Sequence, residues 1–332
     1  MNLPRLVSSP ALAAMLVSLV GGAALAAPDD PVTVRFLGTG GPEITVERQG
    51  IATLIEAGGE SYLFDTGRGV LQRLYETGVN PKRIARIFYT HLHNDHIEGL
   101  PNLWMTSWFL LGRTRPYDIW GPEGTAMMLD GMRKMYGFDV RHRANAFNDA
   151  RVLINRVHEI EGESVVFETA GTRITAFPVE HGDGNPAYGY CFEYGSRKVV
   201  LSGDTTAHEN LVRYAKNADL LIQNVIALPD ALAAKPEMRG VLAKLTTVEQ
   251  AARIFSRAQP RFAVYSHIVL KEMSGAQGVS FLESQTRAHG YKGPLLVAED
   301  RMSITIDENI VTTPPPDLGS LPALDRKASY SE

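Results

Sequence analysis

Six consecutive residues, His91-Leu92-His93-Asn94-Asp95-His96, carry three imidazoles and a carboxylate. Side chains alternate in an extended segment, so His91 and His93 share one side, and Asp95 and His96 follow where the chain must turn. Imidazole nitrogen and carboxylate oxygen together suit zinc, with iron or manganese less favoured. The chain has nine histidines, and three of them stand in this run. Such a run supplies roughly half the ligands of a two-metal site. Further ligands could come from His181 in Glu180-His181-Gly182, Asp204 in Leu201-Ser202-Gly203-Asp204-Thr205, and His267 in Tyr265-Ser266-His267. On spacing alone Asp204 could equally be a turn residue and His267 a helix cap.

These residues need elements to place them. Val32 to Leu37 reads as a strand that ends in the turn Gly38-Thr39-Gly40-Gly41-Pro42. Ile51 to Glu56 and Tyr62 to Phe64 read as two more strands, joined across Gly58-Gly59. Arg68 to Thr77 has Val70, Leu71 and Leu74 on one face, which predicts a helix with Gly78 at its end. Ile84 to Tyr89 is an apolar strand running into the histidine cluster. Farther on, Ile174 to Pro178 leads to His181, Lys198 to Leu201 leads to Asp204, and Phe262 to Tyr265 leads to His267, with another strand at Leu220 to Ile222. Thr247-Val248-Glu249-Gln250 is a capping box that opens a helix through Ala258. Four strand ends thus deliver His or Asp, and the ends of strands in α/β sheets are where sites are built. This regularity predicts two similar halves that share one edge. His142, His158, His208 and His289 follow no strand in this way and read as surface residues.

The composition is ordinary for a globular protein of 332 residues: 44% hydrophobic, 21% charged, formal net charge −4. There is no Lys/Arg run, so a general electrostatic grip on nucleic acid is not advertised, although a local basic patch would not show in the net charge. The single cysteine, Cys191, excludes an intramolecular disulfide and a cysteine metal site, and reads as a buried thiol. At the N-terminus, Arg5 precedes an apolar run from Ala11 to Leu25, and Ala24-Leu25-Ala26 has the small-x-small form of a cleavage site. Residues 1–26 are expected to be a signal peptide cleaved near Ala26. The run is short of the roughly 20 residues a membrane span needs, so no stable membrane anchor is expected, and the mature chain is placed in a periplasm or outside the cell. Residues 27–311 would form the folded domain, and 312–332, rich in Pro and Ser, a flexible tail.

The run His91-Leu92-His93-Asn94-Asp95-His96 is similar to the HxHxDH signature of metallo-β-lactamase-fold hydrolases. The resemblance extends to Phe36-Leu37-Gly38-Thr39-Gly40, Leu63-Phe64-Asp65-Thr66-Gly67, Gly99-Leu100-Pro101, Gly121-Pro122, Ser202-Gly203-Asp204-Thr205 and His267. Within that fold it looks most like the branch of ribonuclease Z, arylsulfatase and cyclic-nucleotide phosphodiesterase. The resemblance implies an α/β fold, a four-layer αββα sandwich. It also implies two zinc ions, the first held by His91, His93 and His181, the second by Asp95, His96 and His267, with Asp204 between them. Asp65 would steady the ligand loop, and Asp95 would act on the nucleophile as the catalytic carboxylate.

Within the branch the implied reaction is hydrolysis of a phosphodiester or aryl sulfate, with a carbonyl ester, lactone or thioester as the alternative and a non-catalytic metal-binding relative as a third reading. Pro42, Glu47, Arg48 and Gln49 resemble an altered form of the Pro-x-Lys-x-Arg-Asn loop of ribonuclease Z. The His-Glu-Ala-Thr motif of that family falls on Gln223-Asn224-Val225-Ile226, so its His and Glu are replaced. The interval from His181 to Asp204 is also too short for that family's tRNA-clamping arm. These departures, with the signal peptide, lead to the expectation of a small-molecule ester substrate and no tRNA; relatives also suggest a homodimer. Trp104, Trp108 and Phe109 follow the ligand loop at helical spacing, where packing in the core is favoured over lining an aryl pocket.

Overall fold

The computed structural model describes residues 30–169 and 171–320. The expected signal peptide and residues 321–332 of the expected tail lie outside them. Among the described residues fifteen strands run in chain order: β1 (Val32–Gly38), β2 (Ala52–Ala57), β3 (Glu60–Phe64), β4 (Arg86–Phe88), β5 (Asp118–Gly121), β6 (Arg156–Glu159), β7 (Ser164–Glu168), β8 (Thr172–Val179), β9 (Ala187–Tyr194), β10 (Arg197–Leu201), β11 (Leu220–Ala227), β12 (Phe262–Leu270), β13 (Leu295–Val297), β14 (Ser303–Ile306) and β15 (Ile310–Thr313). They form an eight-stranded sheet ordered β15-β14-β1-β2-β3-β4-β5-β6 and a seven-stranded sheet ordered β13-β12-β11-β10-β9-β8-β7. Thr312 and Thr313 pair with Ile304 and Ser303, so the first sheet takes in two residues of the segment read as tail.

Side-chain alternation sorts each strand between an inner and an outer face. Tyr62 and Phe64 point between the sheets and meet Tyr190, Phe192, Val199, Leu201, Leu220 and Ile222. Phe88 stacks on Trp120 at 4.7 Å and on Phe64 at 5.1 Å in the same layer. Leu54, Leu63, Ile87 and Ile119 point outward under Val70–Glu76, Leu100–Phe109 and Thr125–Met135. On the other side Cys191, Val200, Leu221 and Tyr265 lie under the helices Glu209–Ala215, Val248–Ala258 and Gly275–Ala288. The order is therefore helix, sheet, sheet, helix: the expected αββα sandwich. Burying each large apolar side chain in these layers contributes about 1.5–3 kcal/mol. The capping box at Thr247 is present, with Thr247 Oγ1 accepting from Gln250 N. Burial pushes the Cys191 thiol up to about 12, as suits an inert core residue.

Trp104 and Trp108 are fully buried and Phe109 packs against the same outer core, so these aromatics support the helix and do not line an aryl pocket. Among the described residues no helix is long and apolar enough to cross a membrane.

Candidate metal centre

Strands β3, β4, β8, β10 and β12 bring their chemistry to one edge of the sandwich. Asp65 follows β3 directly, and its backbone takes a left-handed φ of 57°. The chain after β4 carries Thr90 to His96, with Asn94–Ile97 forming a single helical turn. The two segments lock together. Thr66 N donates to His96 O at 2.7 Å, and Gly99 N to Thr66 O at 2.8 Å. Asp65 Oδ1 accepts from Thr90 N at 2.9 Å, and Oδ2 from Thr90 Oγ1 and His96 Nδ1, both at 2.9 Å.

His181 follows β8, Asp204 follows β10, and His267 lies within β12. Gly203, just before Asp204, has φ 59°, and a Cβ there would lie 2.5 Å from Tyr188 O, so only glycine makes this turn. Asn224 braces the same turn. Its backbone N donates to Ser202 Oγ at 3.0 Å, and its Nδ2 donates to Thr205 O at 3.0 Å. Gln223 and Asn224 are both buried inside β11, a strand longer than the one expected to end at Ile222.

All seven residues named from the sequence come together. Ligand atoms of His91, His93 and His181 lie within 4.8 Å of one another, as do those of His91, His96 and Asp204, and those of Asp95, His96 and His267. Asp204 Oδ2 stands between the groups, 3.6 Å from His181 Nε2, 3.6 Å from His96 Nε2 and 3.1 Å from His267 Nε2. His181 Nε2 is 3.2 Å from His93 Nδ1, and His267 Nε2 is 3.3 Å from Asp95 Oδ2.

The outer ring nitrogens are tied back. His91 Nδ1 donates to Thr90 Oγ1 at 3.1 Å, His96 Nδ1 to Asp65, and His181 Nδ1 to Lys244 O at 2.8 Å. Such bonds fix the tautomer and turn the remaining nitrogen inward. Inside, His91 Nε2, His96 Nε2 and Asp204 Oδ1 are buried without a hydrogen-bond partner. Orphaned donor atoms converging on one point, with imidazole and carboxylate chemistry, fit divalent metal ions.

Electrostatics divide the imidazoles: burial lowers His96 and His267, but the carboxylates of Asp65, Asp204 and Asp95 outweigh it and raise both above the usual imidazole range. Burial, then the neighbouring His96, His181, His93 and His267, holds His91 well below the usual imidazole range, so its ring is neutral. Burial lowers His181 likewise. Burial pushes the Asp95 carboxyl upward, but the bond from His267 and the charges of His96 and His267 outweigh it and keep it ionised. Burial also opposes ionisation of Asp204, and His267 and His96 again reverse it. Lys244 and Thr90 carry no local signal that would have found them from the sequence, and Asn224 shows only as an altered position of the His-Glu-Ala-Thr motif. His142, His158, His208 and His289 lie outside the cluster; His208 caps Glu209–Ala215 by accepting from Asn210 N.

Residues 60–268 match the model of the β-lactamase superfamily domain. The chain belongs to that superfamily. Within it, ribonuclease Z of Mycolicibacterium gilvum (strain PYR-GCK) is 34% identical over 242 residues, covering 72% of this chain and 84% of that protein. Human tRNase Z, short form, superposes with a TM-score of 0.60 at 25% identity, over 82% of this chain and 98% of that one. The metallo-β-lactamase fold protein YhfI of Bacillus subtilis shares the fold with a TM-score of 0.64 at 18% identity, over 83% and 100%. This superfamily hydrolase is thus a homologue of ribonuclease Z. The expected small-molecule ester substrate and the exclusion of tRNA are overturned by that finding. The replaced His-Glu pair and the short interval after His181 are local departures, while the identity runs through 242 residues.

Proposed function

We propose that this β-lactamase-superfamily hydrolase cleaves phosphodiester bonds in RNA, with two zinc ions as its resident metals. The observation that carries the reading is the pair of ligand groups sharing Asp204, in a chain homologous to ribonuclease Z along most of its length. His91, His93 and His181 would hold one ion, and Asp95, His96 and His267 the other, with Asp204 serving both. Bound there, such ions supply Lewis acidity and lower the pKa of water from 15.7 toward about 7. Asp95, whose Oδ2 lies 3.3 Å from His267 Nε2, would be the carboxylate that accepts the proton of the attacking water. Gln223 and Asn224 are amides, so neither can supply the proton of the leaving oxygen. The apolar segment before Ala27 supports export, which makes the substrate an RNA met outside the cytoplasm.

The test is hydrolysis of an RNA with a 3′ extension, a bis-aryl phosphate and an aryl sulfate by the purified mature chain. Turnover of the RNA and the phosphate is expected, abolished by a chelator and restored by zinc. Asp204→Ala should lower it at least about 100-fold, the upper end of what even outer partners of metal ligands cost. Turnover of the sulfate alone, or turnover indifferent to Asp204→Ala, would sink the reading.

A further inference from the structure

His267 sits in an unusual backbone. β11 and β12 pair Gln223 with Tyr265 and then Val225 with Ile268, so Ser266 and His267 together face the single residue Asn224. This is a bulge, and bulges beside active sites re-aim side chains. His267 takes φ 46°, where residues other than glycine are uncommon. Such a conformation persists only where its surroundings over-determine it.

The turn after β1 does so. Ile268 N donates to Thr39 O at 2.8 Å, and Gly40 bridges to Ile268. A Cβ on Gly41 would lie 2.8 Å from Val269 Cγ2 and 3.2 Å from His267 Cε1, so the turn lies flush against the imidazole. The turn is held in its own right by one carboxylate. Asp300 Oδ1 accepts from Thr39 N at 2.9 Å and from Thr39 Oγ1 at 2.8 Å. Its Oδ2 accepts from Gln49 N at 2.7 Å and pairs with Arg73 at 3.2 Å. Arg48 closes the cage by donating to Thr39 Oγ1 at 2.6 Å and to Ala298 O at 2.5 Å. The Asp300 side chain is 3% exposed.

We infer that Asp300 is a positioning residue for His267: through Thr39 it holds the bulge that aims this imidazole at the Asp95 and His96 side of the centre. The inference rests on His267 being a metal ligand. It assigns Asp300 to one ligand group and not to the other. His91, His93 and His181 are placed by Thr90, the loop after β4 and Lys244, none of which touches Asp300.

The experiment is zinc titration against a chromogenic chelator for the wild type, Asp300→Asn, Thr39→Val and Asp219→Asn. In Asp300→Asn, an NH₂ must face either the Gln49 N–H or the Thr39 donors. Thr39→Val removes the hydroxyl that joins Asp300 to Arg48 and leaves the backbone bond from Thr39 N to Asp300 intact. Asp219 is a control of the same kind: it is buried, accepts from Lys198 N at 2.7 Å and pairs with Arg261 at 2.7 Å, but stands before β11, at the opposite edge. Two equivalents are expected in the wild type. Asp300→Asn should weaken one of them about tenfold or more, the usual scale for outer partners of ligands, and leave the other unchanged. Thr39→Val should weaken the same equivalent less, and Asp219→Asn neither, even where it lowers the melting temperature as much. Equal weakening of both equivalents, no weakening in either Asp300→Asn or Thr39→Val, or the same split in Asp219→Asn would overturn the inference. A wild-type chain that binds no zinc would overturn the metal reading itself, a failure visible without any variant.

Discussion

Ligands of the first half arrive on one short loop, whereas those of the second half come from three separate strands. His91, His93, Asp95 and His96 are covalent neighbours, and one carboxylate, Asp65, braces the loop through Thr90 and His96. His181 depends on Lys244 O, Asp204 on the Gly203 turn and Asn224, and His267 on the Thr39 turn. These three supports lie 63, 20 and 228 residues from the ligands they serve, by residue number. A centre built this way has a local half that moves as a unit and a tertiary half whose members can be loosened one at a time.

The comparison breaks most visibly at Asp65. Asp65→Ala would leave Thr90 N, Thr90 Oγ1 and His96 Nδ1 without their acceptor in a buried site. His91 donates to Thr90 and His96 belongs to the other ligand group, so both zinc equivalents should weaken, by about 10–100-fold each. Loss of a buried charged acceptor should also cost the metal-free protein about 3–5 kcal/mol in urea denaturation. A variant that weakens only one equivalent would show that the loop is not a unit.

The same contrast explains what could be read in advance. The cluster at 91–96 is legible because its geometry is local: alternation and one turn place four donors with no help from distant chain. Two halves meeting at one edge are legible from strands that end in polar residues, whereas the αββα order came with the family resemblance. The second-half residues needed a family resemblance, because a lone His or Asp after a strand has several ordinary explanations. Asp300 and Lys244 were not legible at all, and Asn224 only as an altered motif position, since what they do is set by partners that only the folded chain brings near. β12 was expected to stop at Tyr265, before the polar Ser266 and His267. It runs on to Leu270 because the bulge absorbs both residues and resumes pairing at Ile268. The tRNA exclusion failed for a related reason: it weighed a few altered motif positions above similarity spread along the chain.

Asn224→Ala probes the tertiary half at a single turn. The substitution removes the bond to Thr205 O and the acceptor that Gln223 Nε2 reaches at 2.8 Å. Buried groups left unpaired in this way cost about 1–3 kcal/mol, measurable by urea denaturation of the metal-free protein. Asp204 lies between the two ligand groups, so a loosened Gly203 turn should weaken both equivalents, but less than Asp65→Ala does. Weakening confined to one equivalent would argue that Asp204 serves only that group.

The smallest effect is expected where a second-half element is disturbed away from any ligand turn. Thr247 caps the helix Val248–Ala258, which packs beneath β11 and β12 through Val248, Ala251, Ala252 and Phe255. Thr247→Ala should cost about 0.5–2 kcal/mol through loss of the cap. It should leave both zinc affinities as they are, because the layer under the sheet fixes the height of the strands while the turns above fix the aim of their side chains. A changed affinity with this variant would mean that ligand placement in the second half is carried by the whole packed layer, and the distinction between a local half and a half of separate turns would give way to one between a loop and a domain.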